Sequence, residues 1–150
     1  FLCNFVFVEN LKETLNLGEK LSQKLNPQSI VLLKGPIGAG KTSFVKGIAR
    51  GLSISEDITS PTFALSHHYN SGKIPLIHLD LYRLENSSSA KEVFFSEEEE
   101  ALQSQAILVI EWPELIESLI KDFWKIEISY AKNYGRHYLI RDPKNLLTFS

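Results

Sequence analysis

The stretch IVLLKGPIGAGKT, residues Ile30–Thr42, decides how the rest of the chain is read. It begins as an apolar run, Ile30, Val31, Leu32 and Leu33, whose β-branched members suit a buried strand. The run stops at Gly35, and the pattern G-x-x-x-x-G-K-T follows on Gly35, Gly40, Lys41 and Thr42. This is the spacing of a phosphate-binding loop, and its parts have separate physical jobs. Gly35, Gly38 and Gly40 let the backbone turn tightly. Successive N–H groups, including those of Gly38, Gly40, Lys41 and Thr42, can then converge on phosphate oxygens. A helix predicted from Thr42 to about Leu52 adds the positive end of its dipole at the same point. Lys41 supplies a mobile charge for β- and γ-phosphates, and the Thr42 hydroxyl can ligate Mg²⁺. The fixed positions coincide by chance only about once in tens of thousands of sites. A glycine-rich turn that binds nothing is a poor account of them.

Working outward, Asn4–Val8 is rich in strand formers, and Asn10 with Glu13 forms a capping-box pattern. The spacing of Leu11, Leu15, Gly18, Leu21 and Leu25 predicts an amphipathic helix over Leu11–Leu25, ended by Asn26-Pro27. Downstream, the turn signal Asn70–Lys73 separates Phe63–Tyr69 from Ile74–Tyr82 and predicts a hairpin. Within the second arm, His78, Asp80 and Tyr82 alternate with Ile77, Leu79 and Leu81, which places the polar residues on one face. Asn86–Ser89 reads as a loop and Lys91–Gln103 as a helix. On that helix the acidic run Glu97–Glu100 points in different directions and suits a solvated surface. Ala106–Ile110 is a second buried-strand pattern, after which Pro113 suits the first turn of a helix continuing over Leu115–Ile120. Phe123–Tyr130 and His137–Ile140 read as late strands around the turn Lys132–Arg136, while Asp142–Ser150 carries no firm signal. The alternation of strands and helices predicts an α/β fold.

Composition narrows the class. The chain has 150 residues, 43% hydrophobic and 23% charged, as in an ordinary globule, with no internal repeat or dividing linker. One domain over 1–150 is the expectation. Sixteen basic against 18 acidic residues leave a net charge of −2, so no overall field argues for nucleic acid. The lone Cys3 makes neither an internal disulfide nor a metal site, which favours a reducing cytoplasm. No apolar run is long enough to span a membrane. The apolar start FLCNFVFV lacks the basic region and cleavage site of a signal peptide. The chain starts at Phe1 and contains no Met, so an initiator is expected to have been removed or to lie upstream.

A phosphate loop needs a carboxylate near the metal, at the tip of a neighbouring strand. Glu111, directly after the second apolar run, is the first candidate, to hold Mg²⁺ or to orient the attacking water. Asp80, on the polar face with His78 and Tyr82, is the second. In Thr59-Ser60-Pro61-Thr62, either Thr62 or Thr59 can reach the metal or γ-phosphate, although a plain turn would use the same residues. Arg83 and Arg136 can neutralise phosphate charge, and as single arginines they equally suit a solvated surface. His67 and His68 would face opposite ways on a strand and so would not share a metal. Trp112, beside Glu111, would report on the site by fluorescence.

GPIGAGKT, TSPTF, HLDLYRL and VIEWPE, in that order, resemble the TsaE (YjeE) family of small bacterial P-loop ATPases. The likeness runs from about Thr14 to about Arg136. It implies a P-loop NTPase-like three-layer fold with a mixed central sheet, and ATP or ADP with Mg²⁺ bound through Gly38, Ala39, Gly40, Lys41, Thr42 and Ser43. It further implies metal contacts from Thr42 and Glu111, and a part for Asp80 in hydrolysis. The region near Leu11 and the Gly135-Arg136 turn would approach the nucleotide. Family members act in threonylcarbamoyladenosine (t6A) modification of tRNA through a TsaD–TsaB complex. The resemblance fits a weak, partner-stimulated ATPase, and no direct tRNA binding is predicted. Two departures stand out: Pro36-Ile37 where the family usually has Asp-Leu, and Ser87–Ser89 with Phe94-Phe95 where a more regular acidic helix is usual. A nucleotide-state sensor without essential hydrolysis and a small-molecule kinase are the alternatives. The absence of an arginine cluster speaks against the kinase.

Overall fold

In a computed structural model that describes residues 3–144, the chain runs β1 (Cys3–Val8), α1 (Leu11–Ser22), β2 (Ile30–Lys34), α2 (Lys41–Gly51) and β3 (Ser66–Tyr69). It continues through β4 (Leu76–Asp80), α3 (Ser87–Ser104), β5 (Ile107–Glu111), β6 (Trp124–Tyr130) and β7 (Arg136–Arg141). Among the described residues the strands form a seven-stranded sheet in the order β1-β7-β6-β2-β5-β4-β3. Strands β6, β2, β5 and β4 run parallel, and β1, β7 and β3 join antiparallel at the two ends. This is the expected α/β fold with a mixed sheet.

The apolar run of β2 is explained by burial on both faces. Val31 and Leu33 enter a core with Leu17, Leu21, Phe44 and Ile48 of α1 and α2, whereas Leu32 joins Phe94 and Ala101 of α3 on the opposite side. Helices on both faces complete the three layers. No helix among the described residues is long and apolar enough to cross a membrane.

Helices α1 and α2 pack closely through small residues. A Cβ on Gly18 would overlap the Phe44 carbonyl oxygen and come within 2.9 Å of the Ile48 nitrogen. One on Gly47 would overlap the Leu15 carbonyl. These are backbone neighbours that cannot turn aside, so the helices would have to separate. Gly18→Ala should therefore destabilise the protein by about 2 kcal/mol, the usual scale of overpacking. Thermal unfolding should show a fall of roughly 4–8 °C for a chain of this size. A melting temperature equal to that of the parent would refute the close crossing.

Several element boundaries differ from expectation, each for a local reason. Asn10 caps α1 as read, its Oδ1 accepting the Glu13 N–H at 3.0 Å, but Glu13 reaches back to the N–H of Glu9. Helix α1 closes at Ser22, because Lys24 and Leu25 donate to carbonyls three residues back. Helix α3 starts earlier than Lys91: Asn86 acts as its cap, accepting the Ser89 N–H at 2.8 Å, so Ser87–Ser89 form its first turn instead of a loop. The hairpin arms shorten to β3 and β4, with Ser66 opposite Leu79. After Glu111, Trp112 adopts a left-handed φ of 56°, and two short 3₁₀ turns, Pro113–Leu115 and Glu117–Leu119, replace the expected helix. Of the unassigned Asp142–Ser150 stretch, residues 145–150 lie outside the described part of the chain, as do Phe1 and Leu2 of the apolar start.

Candidate functional site

The site follows from the parallel order of the sheet. Strands β4, β5 and β2 are neighbours pointing the same way, so their C-terminal ends meet at one edge, and Asp80 lies directly opposite Glu111 in the register. The loop that leaves β2 climbs over that edge into α2. Gly38 and Gly40 there have φ values of 82° and 100°, left-handed torsions that a Cβ would disfavour. Below the loop is a cleft of about 410 Å³. Its lining includes Lys41, Thr42, Thr62, Asp80, Glu111 and Trp112.

Lys41 is buried. Its Nζ donates to the carbonyls of Gly35 at 2.6 Å and Pro36 at 3.0 Å, and it lies 4.5 Å from the centre of the Trp112 ring. Burial pushes this ammonium below its ordinary pKa, while the nearby Glu111, Asp80 and Glu114 carboxylates pull it back up. The loop is braced from behind. The Tyr130 hydroxyl donates to Ile37 O at 2.6 Å, and Arg136 donates to Ala39 O at 3.2 Å and Gly38 O at 3.4 Å.

The carboxylates are buried and individually anchored. Asp80 accepts from the Thr62 hydroxyl on Oδ2 at 2.8 Å and from the Tyr82 N–H on Oδ1 at 2.9 Å. The Thr59–Phe63 segment reaches it because Leu65, at φ 69°, turns the chain back, and its carbonyl accepts the Asp80 N–H at 2.8 Å. Glu111 Oε2 lies 2.5 Å from His78 Nε2. Oxygen donors from Thr42, Asp80 and Glu111 are hard ligands of the kind Mg²⁺ takes alongside phosphates, so the residues present fit that ion.

The remaining candidates divide. Leu11, Ala39 and Arg136 line a second recess of about 240 Å³ that shares Gly38, Gly40 and Ser43 with the main cleft. The β2–α2 loop is thus common to both spaces. Gly35 faces inward and contributes its carbonyl to Lys41. Thr62, and not Thr59, lines the cleft; Thr59 instead bonds Tyr69 and His67. Arg83 stacks on the Phe63 ring at 4.8 Å. His67 and His68 do diverge, the latter lying 2.6 Å from Glu97. Glu97 is thereby committed, and Glu99 and Glu100 are exposed.

Sequence reasoning gave His78 and Tyr82 no task beyond sharing the polar face of Asp80, and assigned none to Ile37 or Ser60; Ile37, Ser60 and Tyr82 also line the cleft. The signal for His78 was its position two residues before Asp80 on one strand, hence on the same face. Every residue of β4 is buried, with Asp80 at its end meeting the cleft, so β4 is not a solvated hairpin surface.

Three comparisons bear on this geometry. Residues 8–138 match the model of the family described as "Threonylcarbamoyl adenosine biosynthesis protein TsaE". Proteins called tRNA threonylcarbamoyladenosine biosynthesis protein TsaE are similar: the one from Nostoc sp. is 54% identical over 53% of this chain, and the one from Synechocystis sp. is 43% identical over 75%. The aligned part spans 49% of the Nostoc protein and 72% of the Synechocystis protein. The crystal structure of Bacillus subtilis YdiB superposes with a TM-score of 0.75 at 28% identity, covering 93% of this chain and 84% of that one.

Proposed function

The chain belongs to the TsaE family, and from that premise we propose that it binds ATP, hydrolyses it slowly, and serves tRNA threonylcarbamoyladenosine biosynthesis in the cytoplasm. Its ATPase acts on a TsaD–TsaB type protein complex, and the whole described chain serves as one nucleotide-binding unit. The observation that carries this is the convergence of the phosphate loop, Lys41, Thr42, Asp80 and Glu111 on one cleft.

The chemistry follows from the residues in place. Loop amides and Lys41 hold the β- and γ-phosphates and offset negative charge as the bond from the γ-phosphorus to its bridging oxygen breaks. A water oxygen forms the new bond to phosphorus, ADP leaves with the electron pair of the broken bond, and the water's proton passes to phosphate or solvent. Asp80, anchored by Thr62 and Tyr82, orients that water. Mg²⁺, when bound, would be held by Thr42 and Glu111 and would neutralise the phosphate oxygens. The recess with Leu11 and Arg136 takes the nucleoside end.

Turnover is slow in isolation because the two arginines considered for the phosphates, Arg83 and Arg136, are engaged elsewhere. Arg136 holds loop carbonyls and Arg83 lies on Phe63, so neither is aimed at a γ-phosphate. An arginine supplied by a partner, or a segment ordered by one, is worth on the order of 10³-fold or more. The test is ATP binding by calorimetry with Mg²⁺, followed by phosphate release with and without the TsaD–TsaB complex. Binding together with stimulated release is expected. Absence of binding would overturn the proposal, and unstimulated release would remove its partner-dependent part.

A further inference from the structure

His78 is fully buried on β4, beneath the cleft and outside its lining. Its Nε2 lies 2.5 Å from Glu111 Oε2, and its Nδ1 is buried with no hydrogen-bond partner among the described residues. Together these choose the tautomer. A proton on Nε2 makes a charge-assisted bond to the carboxylate. A proton on Nδ1 would bury an unpaired donor and set two lone pairs against each other.

An imidazole is a costly residue for this position. The register places Val109 beside it, and Leu76 precedes it on the same face, so an apolar side chain would fill the space without leaving Nδ1 unsatisfied. What the imidazole supplies is a hold on Glu111. A glutamate side chain otherwise samples many rotamers, and a fixed Oε2 leaves Oε1 as the oxygen available to a ligand in the cleft. Asp80 is held independently, by Thr62 and Tyr82, so the two carboxylates can be perturbed separately.

We infer that His78 is a positioning residue for Glu111: its Nε2–H clamps one carboxylate oxygen so that the other is presented to the divalent cation of the nucleotide complex. This rests on the assignment of Glu111 as a metal ligand above. Partners of this kind set the orientation of metal ligands, and their removal typically lowers metal affinity 10- to 100-fold.

The test is Mn²⁺ binding to the ADP complex, followed by the paramagnetic resonance of free Mn²⁺, beside calorimetry of ADP in EDTA. In His78→Leu, Mn²⁺ affinity should fall roughly tenfold while ADP affinity in EDTA stays within about twofold of the parent. His78→Gln, whose amide N–H reaches about as far as Nε2, should recover most of the loss. His78→Asn, too short to reach Glu111, replaces the leucine variant should that one not fold. Glu111→Gln is the control and should weaken Mn²⁺ at least as much. If Glu111→Gln weakens Mn²⁺ but the His78 variants bind it as the parent does, the positioning role is overturned and the metal role of Glu111 stands. If Glu111→Gln also binds Mn²⁺ unchanged, the metal assignment falls and the inference with it. Equal losses of Mn²⁺ and of metal-free ADP in His78→Leu would mark a general structural role and overturn the inference as well.

Discussion

Lys41→Ala is expected to weaken ATP binding by roughly 150-fold, the equivalent of about 3 kcal/mol for a buried charge-assisted interaction. The ammonium is set at the head of α2, in a pocket formed by two loop carbonyls and the Trp112 ring. It is therefore held ready close to the loop amides, and little ordering of its long side chain remains to be done on binding. Alanine removes the charge proposed to meet the β- and γ-phosphates and keeps the loop's backbone donors, so weak residual binding should survive. The same change should leave the fold intact. Lys41 is buried, which disfavours its charged form and lowers its pKa, so its loss relieves a desolvation cost while freeing two carbonyls. Calorimetry should show the lost affinity, and the melting temperature should fall by no more than about 3 °C. Parent-like ATP affinity in a folded Lys41→Ala protein would sink the assignment of the cleft.

Glu111→Gln should separate binding from turnover. The amide keeps the shape and can still bond His78, but it removes the negative charge from the end of β5. Hydrolysis in the presence of the partner complex should drop on the order of 100-fold, as when one well-placed electrostatic group is removed from a phosphoryl-transfer or acyl-transfer site. Nucleotide affinity without metal should change little, because the loop amides and Lys41 are untouched. A quench-flow or phosphate-release assay measures the first, and calorimetry in EDTA the second. If Glu111→Gln kept turnover, the metal role would fail. If it lost turnover yet still supported tRNA modification, the protein would act by its nucleotide state alone, and hydrolysis would be dispensable.

How the chain could be read in advance varies with the range of the interactions involved. The turn between β2 and α2 was legible because its shape lies in local backbone geometry: glycines at 38 and 40 permit left-handed torsions wherever they occur, and Lys41 follows at fixed spacing. The cap at Asn10 was legible for the same reason. Helix α3 was less so, since a run of serines suits a loop as well as a first turn, and only the Asn86 cap decides between them. Glu111 could be anticipated as the acid ending an apolar run. Thr62 could not be separated from Thr59, because which of them meets Asp80 depends on the backbone reversal at Leu65.

Sequence alone determined the local pieces: strand β2, the loop, the helix behind it, and the order of acidic candidates along the chain. Tertiary structure alone decided which of those acids lie side by side. Asp80 and Glu111 are neighbours because β4 and β5 run parallel and in register, a pairing between distant segments that no short-range pattern encodes. It also decided that His78 is buried against Glu111, whereas His67 and His68 on the edge strand bond to Thr59 and Glu97. The physical reason is range: torsional preference acts over a few residues, while burial and pairing depend on the packing of the whole sheet.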